Sequence, residues 1–222
     1  MSTNSLTVIN EAAALVGDPA FDRINRDAWR AILNHSARDI ARKLRLVLKA
    51  ATFDLVLNDD EYAMPDDCWQ VKSMRVNETP TDTTTWWWLK EMFEDEFRNA
   101  TQGQFSTATR ATRYFALTDT FHLYPRPDKA ITGGGKIQYW GMPAEVTSEA
   151  TQGIPLADIM RDTLRERMLV YALRRLEKFD AAAAQEQEWQ ASLTSDRDRI
   201  EDRSADRRSR IRTQSGNIFG QR

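Results

Sequence analysis

Apolar residues recur at helical spacing near both ends of the chain. Residues 5–16 and the longer segment 25–51 each have one apolar face, which in the first is formed by Leu6, Ile9 and Ala13. Residues 155–193 have a similar stripe that includes Leu164 and Met168, and it continues into a second helical run through the alanines at 181–184. The spacing therefore predicts a pair of helices at each end.

The middle of the chain has a different pattern. Phe53, Leu55 and Leu57 alternate with polar residues, and turn residues cut this part into short segments, which is typical of strands. Further strands are predicted at 71–76, 113–117, 120–124 and 136–140, with a glycine turn at 133–135 and a short helix after residue 89.

These patterns predict a mainly α fold: a helix bundle of about four helices, with a β-rich insertion between the second and third helices and an extended C-terminal tail. The predicted domains are an N-terminal helical pair at 1–51, the β-rich insertion with its short helix at 52–153, a C-terminal helical pair that completes the bundle at 154–206, and an extended basic tail at 207–222.

Composition and charge limit the classes of protein to which this chain can belong. With 41% apolar residues in a chain of 222, a sizeable core is expected, and the formal net charge of -2 argues against a protein that coats nucleic acid. The single cysteine, Cys68, excludes an internal disulfide and a cysteine-based zinc cluster, which fits a reducing compartment. We expect no leader, no membrane contact and synthesis in the cytoplasm, because no segment has the apolar pattern that these require.

Four basic residues occur at steps of three and four on the predicted second helix: Arg38, Arg42, Arg45 and Lys49. This spacing would place them in one row on a helix face. The simpler interpretation is a solvated face. The alternative is a contact with phosphate or with an acidic neighbouring subunit.

Three consecutive tryptophans, Trp86, Trp87 and Trp88, form an unusual run. On a strand, the first and third point to one side and the second to the other, so covering all of them requires contacts on both faces. Three interpretations remain open: a core strand or the start of a short helix, a subunit or tail interface, and a base-stacking platform. The interface is supported by the enrichment of tryptophan at binding hot spots.

Groups with catalytic or metal-binding potential lack the required spacing. Asp60, Asp66 and Asp67 lack the glycine-bearing loop of a calcium site, and the glycines at 133–135 lack the Lys-Ser/Thr pair and the helix of a phosphate loop. The acids at 91–96 most simply solvate a helix, while His35 and His122 belong to different elements. We therefore expect no catalytic residue, no metal site and no cofactor.

The C-terminal end, residues 207–222, contains five arginines and no acid. Such a segment buries too little apolar surface to fold alone, so we expect it to become ordered against another molecule. The residues expected to make that contact are Arg207, Arg208, Arg210, Ile211, Arg212, Ile218 and Phe219.

Several short stretches, taken in order, resemble one known family. They are the first helix ending at Gly17-Asp18-Pro19, the long helix with Trp29, Tyr62-Ala63-Met64-Pro65-Asp66-Asp67 before a strand, residues 121–128, residues 136–140, and the helix from Pro155 to near Trp189. The chain resembles a head-to-tail adaptor, or connector, of tailed bacteriophages, of the podovirus-like tail accessory factor type. The tryptophan run and the Thr-rich loop after Ala100 match no feature of that family.

The resemblance implies a virion structural protein, not an enzyme, that docks as a dodecameric ring beneath the phage portal after DNA packaging and gives the tail an attachment platform. Its implied partners are the portal protein, neighbouring adaptor subunits and the next tail component, a nozzle or tail tube. The C-terminal contact residues would bind the portal, and packaged DNA would pass through the lumen without specific binding.

Two other functions remain open from the sequence. A nucleic-acid-binding protein would use the basic helix row and the Arg-rich end, and its duplex affinity would fall steeply with salt. A cell-wall-degrading enzyme carried in the virion would use two of the scattered acids as a catalytic pair.

Overall fold

The computed structural model describes residues 4–77, 85–101, 107–108 and 110–216, and the side chains of 101, 107–108 and 202–216 are outside this description. The chain divides into two compact units. Unit 1 combines the described residues up to Leu44 with those from Pro143 onward, and unit 2 comprises the described residues of Arg45–Met142.

Unit 1 is helical throughout its regular structure. Its helices are α1 (Ser5–Leu15), α2 (Arg26–Leu44), α4 (Arg161–Arg175) and α5 (Phe179–Gly216), with a 3-10 turn at Asp158–Met160. Helix α1 begins where the side chain of Asn4 accepts a hydrogen bond of 3.0 Å from the amide of Leu6. It ends before Gly17, whose φ of 78° reverses the chain as the sequence predicts.

The apolar stripes of these helices form the core of unit 1. Its fully buried side chains include Trp29, Leu33, Ile40, Leu164, Met168 and Trp189. Burying a side chain of this kind contributes about 1.5–3 kcal/mol. The helices at the two ends of the sequence therefore pack against each other, as their stripes require.

Unit 2 contains ten strands and one helix among its described residues. The strands are β1 (Leu48–Leu55), β2 (Glu61–Ala63), β3 (Cys68–Val76), β4 (Trp87–Trp88), β5 (Lys90–Glu91), β6 (Thr107–Ala108), β7 (Arg113–Ala116), β8 (Thr120–Tyr124), β9 (Arg126–Pro127) and β10 (Ile131–Gly141), and the helix is α3 (Glu94–Thr101). Sheet A has the strand order β1-β10-β3-β4, sheet B has the order β2-β8-β7-β5, and β6 pairs with β9.

Sheets A and B enclose one apolar core. Met74 and Ile137 of sheet A are buried in the same cluster as Phe121 and Leu123 of sheet B. Successive side chains of a strand point to opposite faces, so the residues between these in sequence point away from the core. Each sheet thus has an inner face and an outer face.

Helix α3 covers part of the outer face of sheet B. The ring of Phe97 stacks on that of Phe115 with 5.5 Å between centroids and lies 5.1 Å from the ring of His122. Phe115 and His122 are a cross-strand pair that alternates with the buried residues of β7 and β8. Helix α3 and the outer face of sheet A therefore lie on opposite sides of unit 2.

The prediction of a mainly α helix bundle is wrong. The segment expected to be an insertion is a compact β unit with two four-stranded sheets, so the fold is mixed. Helix α2 ends at Leu44 rather than near Ala51, because Arg45 adopts a φ of 51° and the chain then leads into β1.

The predicted glycine turn at 133–135 is also wrong. These three glycines lie within β10 and do not form a turn between strands. Local spacing did not reveal how many short strands belong to one sheet, because their pairing joins residues far apart in sequence.

The prediction of an extended C-terminal tail is also wrong for residues 207–216, which continue α5. From Phe179 to Ser215 the helix contains no glycine or proline, and its many Arg, Gln, Glu and Ala residues favour a helix. An ion pair of 3.0 Å between Arg197 and Glu201, one turn apart, adds local support. Low apolar content excluded a packed core here but did not exclude a helix. Ile218 and Phe219 lie outside the described residues.

Candidate interaction surfaces

The outer face of sheet A combines tryptophan with basic residues. We call this surface the basic aromatic face. It consists of Lys72, Arg75, Trp86, Trp88, Lys136 and Trp140. The strand register explains why they meet: Arg75 is paired with Lys136 on one side and with Trp88 on the other. One row across three strands therefore contains two cations and an indole.

The cations of this face lie over the indole rings. The guanidinium carbon of Arg75 is 5.1 Å from the ring centroid of Trp86 and 5.5 Å from that of Trp88. The ammonium of Lys136 is 4.3 Å from the Trp86 centroid, and that of Lys72 is 5.3 Å from the Trp140 centroid. These are cation–π distances, which are worth about 0.5–1 kcal/mol each at exposed sites.

Asp54 is the one acidic residue at an outward position among the described strand residues around this face. Outward positions of the neighbouring strands hold Leu48, Ala50, Thr52, Gln70, Ser73 and Gln138. Asp54 lies at the irregular end of β1, where its carboxylate accepts a hydrogen bond of 2.6 Å from the amide of Gly133. The face is therefore locally positive, although the whole chain has a net charge of -2.

The tryptophan run lies at the edge of sheet A, where Trp87 and Trp88 form the short strand β4 and Trp86 directly precedes it. Trp87 and Trp88 are 48% and 61% exposed, so the core-strand interpretation fails. Trp87 is paired with Val76 and therefore points away from the basic aromatic face. On that other side, the guanidinium carbon of Arg110 lies 4.0 Å from the ring centroid of Trp87. The alternation expected for the three rings is confirmed. Their role as a subunit or tail interface remains a prediction.

Four of the six residues of this face were not identified from the sequence. Lys72, Arg75, Lys136 and Trp140 are distant from the tryptophan run along the chain, and only the pairing of β3 with β4 and β10 brings them to it. The available signal was the alternation of Lys136 and Trp140 with apolar residues on one strand.

The predicted basic helix row does not exist as one row. Arg38 and Arg42 lie on α2, Arg45 follows its end, and Lys49 lies on β1 in unit 2. The prediction of one row was wrong because it assumed that the helix continued past Leu44. Arg38 also forms an ion pair with Glu145, whereas Arg42 and Arg45 are exposed.

Lys49 is engaged within unit 2 by a carboxylate. It donates a hydrogen bond to Asp67, which accepts another of 2.9 Å from the hydroxyl of Tyr139. Burial would raise the pKa of Asp67, but these hydrogen bonds and the charge of Lys49 outweigh it and lower that pKa. Burial, together with the hydrogen bond to Asp67 and its charge, raises the pKa of Tyr139 to about 12. This arrangement ties β1, β3 and β10 together.

Asp60 also has a structural role in unit 2. Its carboxylate lies 3.2 Å from Nδ1 of His122 and accepts a hydrogen bond of 2.7 Å from Nε of Arg126. The ring of His122 is held by Phe97 and Phe115. His122 is thus bonded locally within unit 2. Among the described residues, no group of three or more His, Cys, Asp or Glu side chains is arranged to hold a metal ion.

The arginines expected to form the C-terminal contact are all on α5. The backbone positions of Arg207, Arg208, Arg210, Ile211 and Arg212 belong to its last part, while their side chains lie outside the description. Upstream, Ala182, Trp189 and Asp196 are buried at intervals of seven residues and attach the helix to unit 1. None of the described helices is long and apolar enough to span a membrane.

Exposed aromatic and charged side chains on ordered elements are the features common to these surfaces, and they are typical of proteins that bind other macromolecules. The family model described as SU10 adaptor protein matches residues 3–215, and the chain belongs to that family. It is therefore a bacteriophage adaptor protein and a virion component, of a typically non-enzymatic structural family. No curated protein matched the chain. The resemblance to phage adaptors is confirmed, whereas the podovirus-like type stays a prediction.

Proposed function

We propose that the protein docks as a ring, with twelve copies, beneath the phage portal after DNA packaging and provides the attachment platform for the tail. Its partners are then the portal protein, neighbouring adaptor subunits and the next tail component, a nozzle or tail tube. Membership of the adaptor family supports this function. It requires no covalent step, no cofactor and no metal.

The observation that supports docking best is the arrangement of α5. The helix has 38 residues, about 57 Å at 1.5 Å per residue. Its last buried residue among those with described side chains is Asp196, and Arg207 follows 11 positions later, about 16 Å farther along the axis. One end of the helix is thus fixed to unit 1 while the arginines are placed well beyond that attachment.

Arginine suits a contact with an acidic partner surface. Its planar guanidinium makes two parallel hydrogen bonds to a carboxylate, which gives direction as well as strength. Arg207, Arg208, Arg210 and Arg212 would bind portal carboxylates, and Ile211, Ile218 and Phe219 would supply apolar anchors. Packaged DNA would pass through the ring without specific binding, which the net charge of -2 favours over a strongly basic lumen.

The test is to mix the full-length protein with purified portal particles and to determine the symmetry of the bound density by electron microscopy. We expect a ring in register with the portal. Replacing Arg207, Arg208, Arg210 and Arg212 by Gln should weaken binding at least about tenfold, because charge-assisted contacts are lost. Replacing the exposed Arg42 and Arg45 by Gln is the control, which should leave binding unchanged. Absence of portal binding by the unaltered protein would refute the function.

A further inference from the structure

We propose that copies of this protein associate head to tail through unit 2: the basic aromatic face of one copy binds Phe93 and the carboxylates at the start of α3 in the next. The contact rests on the proposed ring and identifies which surfaces form it. Both surfaces are present in every copy, and they lie on opposite sides of the two-sheet body.

The receiving surface has the properties of a binding site rather than of an ordinary exterior. Trp88 is 61% exposed and adjoins Trp86, Arg75 and Lys136 on one face of sheet A. Large exposed aromatic side chains beside arginine are the residues most enriched at interface hot spots. A cluster of this kind on a single sheet indicates a surface that a partner covers.

The opposite side of unit 2 offers the complementary chemistry. Phe93 is 78% exposed and directly precedes α3, whose first turn contains Glu94, Asp95 and Glu96. Arg98 pairs with Glu94, so Asp95 and Glu96 extend the exposed negative surface. Phe97 fixes this helix on the outer face of sheet B. An exposed phenyl ring can pack against the indoles, and carboxylates beside it have the charge opposite to that of the cations. The two surfaces are therefore complementary in apolar character and in charge.

The geometry favours protein carboxylates over nucleic-acid bases as ligands. Base binding on a sheet requires free aromatic faces on which the bases stack. Here a cation lies near each indole of the face: Arg75 and Lys136 lie over the ring of Trp86, Arg75 is also 5.5 Å from the ring centroid of Trp88, and Lys72 lies over that of Trp140. The cations on these rings compete with a base for the ring faces. Their charged groups can still form ion pairs with the carboxylates of a partner.

Two different patches on opposite sides of one body make a heterologous contact. Such a contact repeats from copy to copy and closes into a ring when its rotation permits. A two-fold dimer would instead require both patches of each copy to face the same partner at once, which patches on opposite sides of one body cannot do. The positions of the two patches therefore favour a ring over a symmetric pair.

The first test is zero-length crosslinking. An equal mixture of unlabelled and 15N-labelled full-length protein is treated with a carbodiimide, both concentrated in solution and bound to portals, because this reagent joins an amine to a carboxylate only when they are in contact. We expect mixed-isotope peptides that join Lys72 or Lys136 to residues 94–96. Their absence from both samples would overturn the proposal.

The second test is charge reversal. One variant combines Lys72→Glu with Lys136→Glu, and the other combines Asp95→Lys with Glu96→Lys. We expect each alone to associate at least about tenfold more weakly, because like charges then face each other, and a mixture of the two to recover association in alternating order. Lys129→Glu and Asp119→Lys, at exposed positions in turns, are the matched controls. If each variant folds by circular dichroism and associates as the wild type does, the proposal is wrong.

These outcomes separate the contact from portal docking. Rings on the portal without the crosslinks would leave the proposed function standing and refute this interface. Crosslinks without portal binding would do the opposite. Binding of a fluorescent single-stranded oligonucleotide at physiological salt, abolished by the lysine reversal but not by the α3 reversal, would assign the face to nucleic acid and overturn the proposal.

Discussion

The guanidinium carbon of Arg167 lies 4.1 Å from the ring centroid of the fully buried Trp189. Arg167 also donates hydrogen bonds of 2.6 Å to Asp39 and 2.7 Å to Glu186. One side chain of α4 thereby bonds to both α2 and α5. It fixes the first part of α5, the proposed docking helix, to unit 1. Its charge is buried but paired, which is the condition under which a buried charge is tolerated.

Replacing Arg167 by Met should destabilise unit 1 by about 3 kcal/mol, because it leaves the half-buried Asp39 without its cation and Glu186 with only the exposed Arg174. Urea unfolding followed by circular dichroism at 222 nm measures this. Arg174→Met is the matched control: Arg174 also pairs with Glu186, at 3.1 Å, but it is largely exposed, so less than about 1 kcal/mol should be lost. Equal losses in the two variants would show that the buried network is not what holds the helices.

Stability should fall in acid partly through Asp39. Burial would raise the pKa of Asp39, but hydrogen bonds from Tyr171 and Arg167 and the charge of Arg167 lower it below the ordinary 3.8. A lowered folded-state pKa gives stability that is complete above about pH 4 and is lost as the pH falls through the folded value. Asp39→Asn should therefore be less stable at pH 7 and should lose less on acidification.

Thermal unfolding between pH 7 and pH 2.5 tests the effect of Asp39. The exposed Asp119→Asn, in the turn between β7 and β8, provides the comparison and should follow the wild type at each pH. If Asp39→Asn and the wild type have melting temperatures that decline in parallel, Asp39 does not contribute to the acid sensitivity.

Gly135 is required in β10 by the close approach of an aromatic ring. A Cβ atom at this position would lie 2.1 Å from Cζ of Phe53, whose ring packs 4.9 Å from that of Phe121. Gly135→Ala should cost about 1–3 kcal/mol, because the packed core must shift to accept the methyl group. The double variant Gly135→Ala with Phe53→Leu should cost less than the two single variants summed. Simple additivity in the unfolding free energies would mean that the ring is not the obstacle.

Cys68 should react slowly with thiol reagents. Burial raises the pKa of its thiol from 9.0 to about 11, so the reactive thiolate at pH 8 is about a hundredfold scarcer than in an unperturbed thiol. The rate of labelling with a chromogenic disulfide, in buffer and in denaturant, measures this difference. Because Cys68 is the chain's one cysteine, the signal has a single source. Similar rates in both conditions would contradict the buried environment.

The elements that could be predicted are those in which neighbours along the chain determine the outcome. The helix with Trp29, Leu33 and Ile40 was recognised because its buried residues follow a helical period. The hairpin of β7 and β8 was likewise found, because its strands are joined by a short turn. The side of the hairpin that α3 covers was not predicted: Phe115 pairs with His122 on the outer face and packs on α3.

The candidate surfaces also divide into features that depend on neighbouring residues in sequence and features that depend on strand pairing. The tryptophan run and the arginines at the end were visible as local composition. The basic aromatic face was not, since Arg75, Trp88 and Lys136 meet only through strand pairing. The supposed row from Arg38 to Lys49 failed for the opposite reason: one left-handed residue, Arg45, ends the helix on which the row depended.

The sequence by itself determined the helical stripes, the turns, the excess of arginine at the end and the family to which the chain belongs. It did so because these depend on the order and type of nearby residues. Only the tertiary structure decided that the strands form two sheets around one core, and that cations and indoles share one side of that body while Phe93 and the acids of α3 occupy the other. Long-range pairing and register fix those positions, and a shift of one residue would have turned each outward side chain into the core.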